Sequence, residues 1–332
     1  MPAPAPAPAP GPSTRDASPR AGSSLIDPHT LMRIKSLQMR AKVAVEGYFK
    51  GIHRSPYHGF SVEFSEYREY SPGDDPRYLD WKLFARSDRY YVKRFEDETN
   101  LRCSLVLDTS RSMGYSSIGY TKSDYARTAA ATIAYFLSTQ RDAVGLLTFE
   151  DKITDYLPPR HRPGHLRRLM AMLDREPTGR ATDLAAPLEE IAATVRKRGL
   201  IILISDLLAP VEMLKTRLGY LRARGHDVIV LRVLDPAEVT FNFAVPAMFQ
   251  DVESGRELFI DPAAARAEYL RRFGAHAAEI RQACMDLGIE FEQITTDRPM
   301  ERVLFDLIKA RMRRGKQSGR TSAPARRGGS TP

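Results

Sequence analysis

Asp108-Thr109-Ser110-Arg111-Ser112 follows directly on the apolar run Leu105-Val106-Leu107 and sets a carboxylate and two hydroxyls within five residues. A short β-rich segment that stops at an acidic residue and offers hydroxyls two and four positions later can aim three hard oxygens at one point of a turn. That suits a small divalent cation such as Mg²⁺. The same residues are compatible with a turn held by its own side chains, and with a nucleophilic aspartate. What else converges on the end of that strand separates the three readings.

From Leu101 onward short apolar strands alternate with amphipathic helices, which predicts a doubly wound, mostly parallel α/β sheet covered on both faces. The strands are read at Leu101 to Asp108, Ala143 to Glu150, Leu200 to Asp206, Val228 to Leu234 and Phe291 to Thr295. The helices between them carry single apolar stripes: Ala126, Ala130, Ile133 and Leu137; then Leu184, Leu188, Ile191 and Val195; then Val211, Leu214, Leu218 and Leu221. A long helix after Pro262 carries Leu270, Phe273, Ile280 and Cys284, and a last one carries Val303, Leu304, Leu307 and Ile308. Two strands end in aspartate, Asp108 and Asp206. In an open α/β sheet ligands bind beyond the carboxyl ends of the strands, where the strand order reverses, so both aspartates face that crevice if the first strand is central. A third segment, Gly179-Arg180-Ala181-Thr182-Asp183-Leu184, is a loop that ends at a helix start, where a threonine or aspartate by itself reads as an N-cap.

The flanks are of other kinds. Residues 1–24 alternate proline and alanine and then turn polar, an extended, unpacked segment. Residues 25–100 open with a helix capped by Asp27-Pro28 and running through Leu31, Ile34, Leu37 and Ala41. Short strands follow, such as Ser61 to Phe64 and Tyr90 to Phe95, around the breaker run Ser71-Pro72-Gly73-Asp74-Asp75-Pro76. Residues 101–310 form the α/β domain. It includes an antiparallel edge strand from Lys152 to Leu157 and an inserted hairpin within Ala247 to Ile260. Residues 311–332 are a basic tail: Arg311, Arg313, Arg314, Lys316, Arg320, Arg326 and Arg327 stand there with no acidic residue. The net charge of +9 is largely in the tails, and no aromatic side chain is interleaved with the tail's cations. No run of about 18 apolar residues and no signal-like N-terminus is present, so no integral membrane segment and a cytoplasmic location are expected. Cys103 and Cys284 lack partner histidines and read as buried thiols, and the histidines show no ligand spacing.

Asp-x-Ser-x-Ser after the first strand, a loop threonine, and an aspartate after the fourth strand together resemble the metal-ion-dependent adhesion site of von Willebrand factor A domains. The resemblance implies that Asp108, Ser110, Ser112, Thr182 and Asp206 hold Mg²⁺ (or Mn²⁺), with one coordination position left for an acidic residue of a partner. The run Phe64 to Trp81, with Ser71-Pro72-Gly73-Asp74-Asp75-Pro76-Arg77-Tyr78-Leu79-Asp80-Trp81 at its centre, is similar to the signature of the domain of unknown function 58 family. So are Leu234-Asp235-Pro236-Ala237-Glu238 and Asp251-Val252-Glu253-Ser254-Gly255. That resemblance implies a von Willebrand factor A-like fold and a non-enzymatic accessory of a MoxR-type AAA+ ATPase, acting in the assembly or activation of client complexes.

Two other functions stand beside it. A metal-dependent phosphohydrolase of the haloacid dehalogenase kind would use Asp108 as nucleophile. It usually carries a second carboxylate two residues on, where this chain has Ser110. Nucleic-acid binding would run through the basic tail. The acidic block Asp74, Asp75 and Asp80 is read with Arg68, Arg77, Lys82 and Arg86 as an ion-pair network, and Trp81 as a packed anchor.

Overall fold

The computed structural model describes residues 25–54, 67–69, 91–93, 101–176, 184–250 and 255–318. Two helices come first, α1 (Pro28–Met32) and α2 (Leu37–Arg54). Asp27 caps α1 as expected, its carboxylate accepting from Thr30 N at 2.9 Å. The single helix expected from Asp27 through Ala41 is corrected to two. The Ser36 hydroxyl accepts from Met39 N at 3.3 Å and so restarts the helix, while Arg40 Nε donates to the Ile34 carbonyl at 2.7 Å. A local side-chain cap here outcompetes the continuation that apolar spacing alone suggests. β1 (Tyr67–Glu69) and β2 (Tyr91–Lys93) form a short antiparallel ribbon. The strand expected at Ser61 to Phe64, the breaker run, Trp81 and the ion pairs read for that block lie outside the described residues.

The main sheet and its helices follow in order. They are β3 (Arg102–Asp108), α3 (Lys122–Thr139), β4 (Ala143–Phe149), β5 (Ile153–Arg160), α4 (His165–Leu173), α5 (Ala185–Thr194), β6 (Leu200–Ser205), α6 (Val211–Ala223), β7 (Asp227–Leu234), α7 (Pro236–Thr240), the hairpin strands β8 (Ala247–Gln250) and β9 (Glu257–Ile260), α8 (Pro262–Asp286), β10 (Glu290–Thr295) and α9 (Met300–Ser318). The strand order is β10-β7-β6-β3-β4-β5, and β5 alone runs antiparallel. This is the doubly wound, mostly parallel α/β arrangement that the alternation of elements predicts. The expected ends of the five parallel strands agree to within a residue, whereas the edge strand expected from Lys152 to Leu157 runs on to Arg160. α9 continues to Ser318, so the chain stays helical past Arg311, where the tail was expected to begin. Arg and Lys are good helix formers, and cations suit a helix C-terminus.

β3 is central because it is apolar toward both faces. Cys103, Leu105 and Leu107 join a core with Ala126, Ala130, Ile133 and Leu137 of α3, onto which α2, α4 and α9 add Ala41, Leu169 and Leu304. Val106 points to the opposite core, with Leu188 and Ile191 of α5, Leu214 and Leu218 of α6, and Ile280 and Cys284 of α8. The chain leaves β3 toward β4 on one side and later returns to pair β6 on the other. The reversal of strand order therefore falls at the carboxyl ends of β3 and β6, where loops diverge and leave a crevice.

The edge strand β5 carries Pro158 and Pro159, which an edge tolerates because no neighbour needs their missing N–H. It also crowds β4. A Cβ added at Gly145 would stand 2.6 Å from the Leu157 carbonyl oxygen and from Pro159 N, where the register between the two strands shifts. Gly145→Ala is expected to lower stability by about 1–3 kcal/mol in urea unfolding, because backbone atoms cannot step aside. Gly274→Ala, on the exposed side of α8 with open space around it, is expected to raise stability by about 0.5–1 kcal/mol. Equal effects at the two positions would contradict the packing assigned to β5.

Candidate functional site

Asp108 closes β3 with its side chain buried. Its Oδ1 accepts from Ser110 N at 2.9 Å, and its Oδ2 accepts from the Ser205 hydroxyl at 2.6 Å. After Thr109 a single 3₁₀ turn, Arg111–Gly114, folds the chain back and brings the Ser110 and Ser112 hydroxyls to 3.1 Å of each other. Both serines are buried. Asp206 follows β6 on the neighbouring strand, also buried. The next residue, Leu207, takes the left-handed backbone conformation with φ of 52°, which is uncommon for a side chain branched beyond Cβ and marks a sharply turned loop. The Ser205 hydroxyl accepts from Leu207 N at 3.0 Å and so holds that turn while donating to Asp108. Asp108, Ser110 and Ser112 thus share one turn, and the Asp206 carboxylate stands near enough to act on Asp108. Thr182 lies outside the described residues.

Four further side chains belong to this site. Lys122 is the first residue of α3 and is 0% exposed, with Nζ 2.9 Å from Asp206 Oδ2 and 2.6 Å from Glu238 Oε1. Glu238 sits at the third position of α7, where its Oε2 accepts from Asp235 N at 2.7 Å in a reciprocal capping box. Arg232, in β7 and also 0% exposed, donates from Nε to the Asp206 backbone carbonyl at 3.0 Å and lies 5.2 Å from the centre of the Phe273 ring. Ser205 is the fourth.

Two of them left a mark in the sequence. A lysine at the first position of a helix opposes the helix dipole and calls for an acid nearby. An arginine inside Val228-Ile229-Val230-Leu231-Arg232-Val233-Leu234 is a charge in a strand otherwise apolar. Neither mark names its partner, because Asp206 and Glu238 lie 84 and 116 residues from Lys122.

The electrostatics follow from burial. Desolvation, then the nearby Asp206 carboxylate, pushes Asp108 up to about 7, against the pull of the Ser110 and Ser205 hydrogen bonds. Burial alone would depress the Lys122 ammonium, but Asp206 and Glu238 outweigh it and hold it above the ordinary lysine value. Burial depresses Arg232, with Asp206 and Glu238 opposing. Asp108 is therefore bonded, among the described residues, to hydroxyls and a backbone N–H, while the ammonium is spent on Asp206.

Hard oxygens from one carboxylate and two serines match what Mg²⁺ takes. Neighbouring oxygens in an octahedral shell with bonds of 2.0–2.1 Å stand about 3 Å apart, close to the separation of the two hydroxyls. Among the described residues no group of three or more His, Cys, Asp or Glu side chains forms a metal cage, so any cation here is held by hydroxyls as much as by carboxylates. Both expected buried thiols, Cys103 and Cys284, are buried. His165 and His226 are likewise buried against backbone carbonyls, at 2.7 and 2.9 Å, and take no part in the site.

Residues 66–279 match the family described as Protein of unknown function DUF58. The chain belongs to the DUF58 family. This DUF58 protein is 31% identical over 300 residues to the Uncharacterized protein Rv1480 of Mycobacterium tuberculosis, a match spanning 88% of this chain and 93% of that one. It is 33% identical over 163 residues to the Uncharacterized protein MAV169 of Mycobacterium avium, spanning 48% and 94%. Among solved structures it is similar to an aerotolerance-related membrane protein from Bacteroides fragilis, with a TM-score of 0.40 and 13% identity over 62% of this chain and 97% of that one. It is also similar to the SpRpn10 VWA domain, with a TM-score of 0.36 and 13% identity over 61% and 94%. No helix among the described residues of the DUF58 chain is long and apolar enough to cross a membrane.

The raised Asp108 value has a testable sign. Between the ordinary carboxylate value of 3.8 and about 7, the folded protein keeps a proton on Asp108 that the unfolded chain releases. Folding stability from this group therefore falls as pH rises through that window, and levels off above it. Asp108→Asn, which stays neutral, is expected to melt above wild type in chelator at pH 8, by several degrees at about 2–4 °C per kcal/mol, with the gap closing toward pH 5. A gap that is constant with pH would contradict the buried, metal-free carboxylate.

Proposed function

We propose that this protein is a divalent-cation-dependent protein-interaction module. Asp108, Ser110 and Ser112, with Asp206 and Thr182, hold Mg²⁺ (or Mn²⁺), and an acidic residue of a partner completes the coordination. The observation that carries this reading is the state of Asp108: a buried carboxylate beside a second carboxylate, bonded among the described residues only to neutral donors, with two hydroxyls on one turn. A bound cation would supply the missing positive charge and a position that a partner's carboxylate can enter. The chain's own part is to hold Asp108 by Ser205 and the Ser110 N–H, and to fix the serine pair by the 3₁₀ turn. Leu208, beside Asp206 and 46% exposed, offers an apolar contact at the rim.

A non-catalytic role is supported by Ser110 standing where a phosphohydrolase of this topology would place its general acid. The partner proposed is a MoxR-type AAA+ ATPase, with a client that presents the acidic residue, as the resemblance of the Phe64 to Trp81 run implies. Location in the cytoplasm belongs to the same proposal.

Calorimetry with MnCl₂ is expected to show one site per chain that Asp108→Ala abolishes and Ser112→Ala weakens about tenfold or more, with circular dichroism unchanged. Capture of the partner ATPase by the wild-type protein is expected in Mg²⁺ and lost in chelator. Wild-type protein that binds neither Mn²⁺ nor Mg²⁺, alone or with partner, would overturn the proposal, and phosphatase activity lost in Asp108→Asn would replace it with the enzyme reading.

A further inference from the structure

The acidic side of the site already contains a cation. Lys122 Nζ lies between Asp206 Oδ2 and Glu238 Oε1, at 2.9 and 2.6 Å, wholly out of water. Asp206 has no other cation on its carboxylate among the described residues, since Arg232 donates to its backbone carbonyl. Glu238 in turn is fixed from the far side. Its second carboxylate oxygen holds Asp235 N at 2.7 Å, its backbone carbonyl accepts from the Tyr269 hydroxyl at 2.8 Å, and Asp235 is anchored by the N–H and hydroxyl of Ser117. The ammonium thus has one rigid carboxylate, Glu238, and one, Asp206, that also belongs to the oxygen cluster.

We propose that Lys122 sets the divalent-ion affinity of the site by holding Asp206 in an ion pair that an entering cation must share, and that Glu238 retains the ammonium when it does. The inference rests on the metal-site reading above and adds what tunes it. A like charge fixed a few ångström from the ion weakens binding, and a carboxylate that draws this charge off restores it. Lys122 and Glu238 therefore act in opposite directions on one equilibrium, although both belong to the same buried network. A lysine serving only to hold the fold would give losses of the same sign at both positions.

The test is Mn²⁺ titration of wild type, Lys122→Met and Glu238→Gln, read by electron paramagnetic resonance of free Mn²⁺ and by the melting-temperature gain at saturating Mn²⁺. Lys122→Met is expected to bind about tenfold or more tightly and to gain more in melting temperature, whereas Glu238→Gln, which keeps the acceptor for Asp235 N, is expected to bind several-fold more weakly, on the order of 3–10-fold. Binding by wild type with both variants shifted in the same direction, or with Lys122→Met unshifted, would overturn the inference and leave the metal site standing. Binding by Lys122→Met alone would support it, with the ammonium as the resident cation. Binding by none of the three would overturn the metal site and the inference together. Should Lys122→Met fail to fold, an unshifted or tighter Glu238→Gln overturns the inference by itself.

Discussion

Two carboxylates at the ends of neighbouring parallel strands, Asp108 and Asp206, are both shut away from water, and like charges so placed are ionised together only beside a cation. Most of what surrounds them answers that constraint. Lys122 reaches Asp206 from the start of α3, Arg232 reaches its backbone from β7, and Ser205 turns its hydroxyl toward Asp108 from β6. The sheet makes the encounter unavoidable. Because the strand order reverses at β3, the ends of β3 and β6 are neighbours, and whatever follows each strand is delivered to one crevice.

The compensation is uneven, and that is where function enters. Asp206 has an ammonium, whereas Asp108 has only neutral donors among the described residues. A carboxylate in that position either keeps its proton or waits for an added positive charge. The paired serines beside it supply oxygens of the kind a small divalent ion takes, so a vacancy of charge and a supply of ligands coincide. The left-handed turn at Leu207 and the 3₁₀ turn at Arg111–Gly114 hold both halves in place.

Periodicity carried most of the architecture. Alternating strands and single apolar stripes sufficed for the six strands and their mostly parallel sheet, though not for their order, because a strand such as Leu200–Ser205, apolar on both faces, has few places to go other than a sheet interior. The break at Ser36 was not legible, since serine inside an apolar stripe looks like a solvent position until its hydroxyl is seen capping Met39. In the site, Asp108, Ser110 and Ser112 were readable because their chemistry is local to five residues. Lys122, Arg232 and Glu238 were not, because each is defined by a partner on another element. Only their misfit with local context, a cation at a helix start and another in an apolar strand, hinted that a partner exists.

The central claim is that the uncompensated charge at Asp108 is the place of a divalent ion. Crystals of the protein grown in Mn²⁺ and measured near the manganese absorption edge test it directly. The account predicts one anomalous peak within bonding distance of Asp108, Ser110 and Ser112, with the Lys122 ammonium still on Glu238. An anomalous map with no peak at that cluster, while the Ser110 and Ser112 hydroxyls remain bonded to each other, would contradict it.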